Sequence, residues 1–135
     1  MRARVLAACC VVASLVGPSL AAPDKPAACG EETVGAWEYV PPSNPGRVNI
    51  SKLPNEHLLI VWIVTPRDGG ATNAGAWEGR CEGSRRHWRI LFATDPATVG
   101  GEVTEEFEAH GDTVRFWLLG PDGKRGQEGA ARRIK

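Results

Sequence analysis

Apolar and polar residues alternate along this chain in short runs, and turn-forming stretches such as "SNPGR" and "GPDGKRG" separate one run from the next. Alternation with a period of two is typical of strands with one buried face, and no segment shows a sustained apolar period of 3.6. About eight strands at a spacing near ten residues are predicted, as in an all-β barrel or sandwich. The predicted strands are 32–40, 48–53, 57–65, 74–81, 85–94, 102–109, 113–120 and 127–134. The second is interpreted as a short edge strand that ends at Pro54.

The alternation predicts which side chains face the interior. Val103 and Phe107 fall on one side of the sixth strand, and Val114 and Phe116 fall on one side of the seventh, so Trp117 should project outward. Glu105 breaks the pattern, because it falls on the apolar side. A strand end or bulge that releases it to water is the favoured interpretation, since an unpaired carboxylate is rarely buried. The alternative is a carboxylate inside a cavity, held by an arginine or by a polar ligand group.

The run 57–65, "HLLIVWIVT", is apolar on both faces. Its outer face, which includes Leu59, Val61 and Ile63, therefore needs a cover. Three covers are considered: the Pro-rich segment 41–45, the N-terminal tail, or a second subunit. A homodimer through the outer face of 57–65 is one of the expected partnerships.

The first 21 residues have the pattern of a secretory signal peptide. Arg2 and Arg4 precede an uncharged apolar run, and "SLA" supplies small residues before a cut after Ala21. The apolar run is shorter than the roughly 20 residues that a membrane span requires. The sequence thus divides into a signal peptide (1–21), a flexible segment (22–31) and a barrel domain (32–135), and it predicts a secreted or periplasmic protein without a membrane span.

Two of the four cysteines, Cys29 and Cys81, stay with the mature chain. In an oxidising compartment such a pair is expected to form a disulfide, and closing a loop of about 53 residues would contribute roughly 4 kcal/mol in the chain-entropy model. Two separate thiols are the alternative.

Charge and motifs exclude several functions. The chain has 16 basic and 16 acidic residues, so loss of two arginines with the signal peptide leaves a net charge near −2, which does not favour nucleic acid. The sequence contains none of the common catalytic motifs, which favours a non-enzymatic role. The histidines stand singly, without the spacing of metal ligands, so we expect no metal or cofactor; they are His57, His87 and His110. The cluster "RRHWR" at 85–89 is interpreted as a solvated strand face, with an anion site as the alternative.

The tetrapeptide Gly-Ala-Trp-Glu occurs twice, at 35–38 and 75–78. The residues that follow the two copies share no apolar pattern, and repeat folds need at least three units, so the sequence does not indicate a duplication. The second copy is interpreted as ordinary strand composition.

The first copy, with Gly35 and Trp37, resembles the opening motif of the lipocalins. The order of "DPATVG", "GDT", "PDG" and the final "RIK" is similar to that of small bacterial lipocalin-like proteins, most of unassigned function. The resemblance implies one antiparallel eight-stranded up-and-down barrel. It also implies an arginine of the last strand lying across Trp37, and we assign Arg133 to this role with Arg132 as the alternative.

A lipocalin-like barrel implies a lumen for a small apolar or amphipathic ligand. The alternative is a protein-interaction or inhibitor module whose barrel is filled with side chains and binds nothing inside. The candidate lumen residues are Trp37, Leu58, Ile60, Trp62, Ile90, Phe92, Val103, Glu105, Phe107, Val114, Phe116 and Leu118.

Overall fold

The computed structural model describes residues 30–135, in which eight antiparallel strands follow one another around a closed up-and-down barrel. Each strand pairs with the next along the chain, and the last strand pairs with the first. Short 3-10 turns precede the first strand (Glu31–Thr33) and connect the fifth and sixth (Pro96–Thr98). The strands are β1 (Gly35–Val40), β2 (Gly46–Lys52), β3 (Leu58–Val64), β4 (Asn73–Glu82), β5 (Arg85–Ala93), β6 (Glu102–His110), β7 (Thr113–Leu119) and β8 (Arg125–Arg133).

The predicted all-β, eight-stranded barrel is confirmed, with one correction to its edges. The prediction that 48–53 is an edge strand was wrong, because β2 pairs with β1 on one side and with β3 on the other. Closure removes free edges altogether. The predicted signal peptide (1–21) lies outside the described residues, as does most of the segment 22–31.

The inward faces of the strands meet in one apolar core. Its buried members come from every strand except β4, and Trp77 and Cys81 of β4 pack against them. The alternation predicted from the sequence places these side chains correctly, because neighbouring residues of a strand point to opposite faces. The buried core residues are Trp37, Val48, Ile50, Leu58, Ile60, Trp88, Phe107, Val114 and Ala131.

A β-bulge in β5 reverses the alternation near its end. Trp77 pairs with Ile90, whereas Ala76 pairs with Phe92, so Leu91 is an extra residue on this strand. The extra residue moves Phe92 to the outer face, where 57% of it is exposed. The prediction that Phe92 faces the lumen was therefore wrong.

The outer face of β3 is apolar and open. Val61 is 47% exposed and Ile63 is 49% exposed, and the exposed Phe92 lies on the same outer surface, two strands away. The described residues, including the Pro-rich segment 41–45, thus leave this face accessible.

Trp117 faces outward as predicted, but it is only 5% exposed. The guanidinium of Arg125 lies 3.8 Å from the centroid of its ring, and that of Arg115 lies 5.1 Å away. Glu106 and Glu128 hold these two arginines in place by hydrogen bonds. The Arg125 hydrogen bond lowers the pKa of Glu106, and the Arg115 hydrogen bond lowers that of Glu128. An ion-pair network thus shields a tryptophan on the outside of the barrel.

Candidate functional site

One end of the barrel is closed by the first tryptophan and an arginine of the last strand. Trp37 is fully buried, and the Cζ atom of Arg133 lies 4.2 Å from the centroid of its ring. Arg133 also donates hydrogen bonds to the carbonyl oxygens of Val34 (2.9 Å) and Glu32 (2.6 Å). The alternative, Arg132, lies on the outer face and pairs with Glu38. Arg133 therefore occupies the position that the sequence assigned to it.

Gly35 makes this closure possible. Its φ of +133° is a backbone conformation that other residues rarely adopt, and a Cβ at this position would lie 2.7 Å from Nη1 of Arg133. The indole Nε1 of Trp37 donates to the carbonyl of Thr33, 2.7 Å away, which fixes the orientation of the ring.

Above this plug lies a cavity of about 350 Å³ that opens at the other end of the barrel, beside the β1–β2 connection. Its wall is mostly aromatic and aliphatic, and it also contains one ion pair and one tyrosine. Pro42, Ser43 and Asn44 lie at the mouth. The strand residues that line the cavity are Trp37, Tyr39, Val48, Ile50, Ile60, Trp62, Val64, Trp77, Arg86, Glu105, Val114, Phe116, Leu118, Gln127, Glu128 and Ala131.

Seven of the twelve residues predicted for the lumen line this cavity: Trp37, Ile60, Trp62, Glu105, Val114, Phe116 and Leu118. Leu58, Ile90 and Phe107 are buried and Val103 packs against the core, yet none of these four reaches the cavity wall. Leu118 pairs with Glu105 across β6 and β7, but it is 43% exposed and so belongs to the rim.

The tryptophan of the second Gly-Ala-Trp-Glu copy belongs to an aromatic wall of the cavity. Trp77 of the second copy meets Trp62 edge to face, with ring centroids 5.7 Å apart. Gly75 makes room for this pair, because a Cβ there would lie 2.6 Å from the ring of Trp62. Sequence reasoning missed Trp77, although the alternation of Gly75, Trp77 and Gly79 against Ala76 and Glu78 carried the signal.

A buried ion pair lies in the barrel wall. Arg86 is 2% exposed and Glu105 is 4% exposed, and Nη2 of Arg86 donates to Oε1 of Glu105. Arg86 also donates to Oγ1 of Thr33 at 3.1 Å, and its guanidinium lies 4.3 Å from the centroid of the Phe107 ring. The favoured interpretation of Glu105 as a carboxylate released to water was wrong, and its alternative, a carboxylate held by an arginine, is confirmed.

The interpretation of 85–89 as a solvated face is corrected in the same way. Arg86 and Trp88 point inward, while Arg85 and Arg89 are exposed. His87, between them, is in register with Thr104. A charged residue can be buried here because the carboxylate on the neighbouring strand compensates it.

Tyr39 completes the polar part of the cavity. Its ring packs against Phe116 with centroids 6.0 Å apart. Burial raises the pKa of the Tyr39 hydroxyl well above its usual value, the charge of Glu105 raises it further, and the charge of Arg86 opposes this effect. The hydroxyl is therefore protonated at neutral pH and can donate a hydrogen bond.

Several buried donors in the wall lack an acceptor among the described residues. They are Nε1 of Trp62, Trp77 and Trp88, together with Nε of Arg86. Buried polar groups usually have partners, so these four donors are exceptions in this interior.

The three histidines each lie beside a glutamate on the outer surface: His57 by Glu78, His87 by Glu82 and His110 by Glu108, at 3.2, 3.4 and 3.9 Å. Within residues 30–135, no three His, Cys, Asp or Glu side chains are grouped to hold a metal ion. In the same part of the chain, no helix has the length and apolar character to cross a membrane.

Comparison of the chain with protein-family models, with curated proteins and with solved structures finds no match.

Proposed function

We propose that this protein is a lipocalin-like barrel that binds one small, largely apolar ligand in its lumen. The observation that supports the proposal is the cavity of about 350 Å³, which is closed at one end by Trp37 and Arg133 and open at the other. Ligand pockets typically measure roughly 300–1,000 Å³ and combine an apolar lining with a few polar groups. A barrel filled with side chains would lack such a space.

Two measurements test this proposal. Native mass spectrometry of protein purified from its own cells should show a retained small-molecule mass. Titration of the purified protein with naphthalene, an uncharged apolar probe, should change the tryptophan emission saturably, because three tryptophans line the cavity.

A matched pair of variants locates the binding. Val64 lines the cavity and Val61 lies on the outside of the same strand, so Val64→Trp should abolish naphthalene binding while Val61→Trp should retain it. If the two variants bind naphthalene equally well, or if the wild-type protein does not bind it, a lumenal site is refuted.

We also propose that the chain is exported and that Cys29 pairs with Cys81. Cys29 lies outside the described residues, but a Cβ on the adjacent Gly30 would lie 3.5 Å from Sγ of Cys81, so the chain approaches Cys81 at this point. The intact mass should correspond to a chain that starts at Ala22 and lacks two hydrogens until a reductant is added. A mass that reductant leaves unchanged would contradict the disulfide.

A second candidate is a protein-interaction role through the outer surface. The exposure of Val61, Ile63 and Phe92 on one outer surface favours it, because accessible apolar side chains that share a surface can mark an interaction site. A homodimer through 57–65 is the simplest form. Sedimentation should then show a dimer that Ile63→Glu converts to monomer, and a wild-type monomer at all concentrations would exclude it.

A further inference from the structure

The cavity has a polar centre whose hydrogen-bonding capacity is only partly used. Oε1 of Glu105 accepts from Arg86, whereas Oε2 accepts no hydrogen bond from residues 30–135. The hydroxyl of Tyr39 likewise has no hydrogen-bond partner among them. All three side chains line the cavity, so an acceptor and a donor face the same space.

The charges at this centre determine which ligand group fits. Arg86 and Glu105 neutralise each other, and both are almost completely buried. A ligand carboxylate would place a second negative charge near Glu105, and a ligand ammonium would leave one positive charge in excess. Either ion would lose its hydration on entering the barrel without a free counter-ion to replace it.

An uncharged hydroxyl or primary amide matches both free groups. Each can donate to Oε2 of Glu105 and accept from the hydroxyl of Tyr39.

We infer that the ligand is an uncharged, mainly apolar molecule with a single hydroxyl or amide head group that binds between Glu105 and Tyr39. Its apolar body lies along Trp62, Trp77 and Phe116. The cavity volume of about 350 Å³ admits roughly a dozen non-hydrogen atoms, if each takes about the volume of a water molecule. This inference rests on the proposed lumenal binding and specifies the class of ligand.

A panel of probes that share one aromatic body tests the head group. The probes are naphthalene, 2-naphthol, 2-naphthamide, 2-naphthoate and the ammonium form of 2-naphthylmethylamine, titrated at neutral pH by calorimetry. We expect the naphthol and the naphthamide to bind at least about tenfold more tightly than the naphthoate and the amine, which corresponds to about 1.4 kcal/mol.

The panel separates failure of this inference from failure of the lumenal site. If naphthoate binds as tightly as naphthol, or if naphthol binds no better than naphthalene, the head-group inference is overturned while lumenal binding stands. If no probe binds, including naphthalene, both proposals fail.

Variants of Tyr39 and Glu105 test whether each of them contacts the head group of the ligand. Tyr39→Phe should weaken naphthol binding several-fold and leave naphthalene binding unchanged; an equal loss for both probes would indicate a structural role and overturn the contact. Glu105→Gln leaves Arg86 as a buried cation, so the preference should reverse in favour of naphthoate.

If Glu105→Gln does not fold, the double variant Arg86→Met, Glu105→Gln removes both charges together and is better tolerated than one unpaired ion. In this variant the affinity advantage of naphthol over naphthalene should decrease. An advantage as large as in the wild-type protein would overturn the role of Glu105.

Discussion

Replacing Arg133 tests how strongly the closed end of the barrel is held. The Cζ atom of Arg133 lies 4.2 Å from the centroid of Trp37, which is fully buried, so the cation–π contact should contribute about 2 kcal/mol, the upper part of the usual range. Its two hydrogen bonds to backbone carbonyls come from a charged donor, and each such bond is worth about 1.5–3 kcal/mol.

Solvent reduces these contributions. The side chain of Arg133 is 30% exposed, so the lower value of about 1.5 kcal/mol for each hydrogen bond is appropriate. Removal of the side chain also returns up to about 2 kcal/mol of rotamer entropy. We therefore expect Arg133→Ala to lower the free energy of unfolding by about 3 kcal/mol, on the scale of those terms.

Arg132 provides the matched control on the same strand. Its side chain is 60% exposed and pairs with Glu38 on the outer face, so Arg132→Ala should cost at most about 1 kcal/mol. Arg133→Lys keeps the positive charge but lacks the planar guanidinium, so its loss of stability should lie between those of Arg133→Ala and Arg132→Ala.

The assay is urea unfolding followed by circular dichroism, which does not depend on the emission of Trp37. A lower midpoint at an unchanged slope reports a loss of stability. If Arg133→Ala stays within about 0.5 kcal/mol of the wild-type protein, the range of an ordinary surface substitution, or if Arg132→Ala loses as much, the closure contributes little and our reasoning is refuted.

Three further outcomes are expected. Burial raises the pKa of Tyr39, the single tyrosine, above its value of about 10 in the unfolded chain. The protonated hydroxyl therefore contributes to the free energy of unfolding below a pH of about 10, and this contribution is lost as the pH rises through the pKa of the folded protein. Phenolate absorbance of the folded protein should appear only above the usual range, and a normal titration curve would contradict this. Gly75→Ala brings a Cβ within 2.6 Å of Trp62 and should lower the free energy of unfolding by about 1–3 kcal/mol, measured by urea unfolding; no loss would mean that the ring moves freely. Trp117→Ala should lower the free energy of unfolding by about 3 kcal/mol or more, because the outward tryptophan is only 5% exposed. Leu118→Ala should lower it by less than about 1 kcal/mol, because Leu118 is 43% exposed. If Leu118→Ala lowers the temperature of thermal unfolding more than Trp117→Ala does, the arginines do not bury the ring effectively.

Prediction from the sequence failed where one residue changed a register. The alternation placed Ile90 inside correctly, but the extra residue Leu91 moved Phe92 to the surface. A bulge depends on how two strands pair, and no property of Phe92 itself signals it. The bulge therefore accounts for the wrong assignment of Phe92 to the lumen.

The polar centre of the cavity could be anticipated only as an alternative. Glu105 stands out in the sequence because it falls among apolar positions. Arg86 does not stand out, because it belongs to a run of basic residues on β5. Their pairing across β5 and β6 depends on the register of two strands, which in turn fixes both side chains inside the barrel.

The sequence by itself determined the strands and the inward position of most large apolar side chains, and the resemblance of its terminal motifs to those of lipocalins implied the meeting of Trp37 with Arg133. These features follow from a local period of two and from motifs at the termini, so they can be read along the chain. The tertiary structure alone decided that β2 has two neighbours, that Arg125 shields Trp117, and that the interior retains a cavity. Each of these depends on contacts between residues distant in sequence and on the volume left after all side chains have packed, which no local pattern encodes.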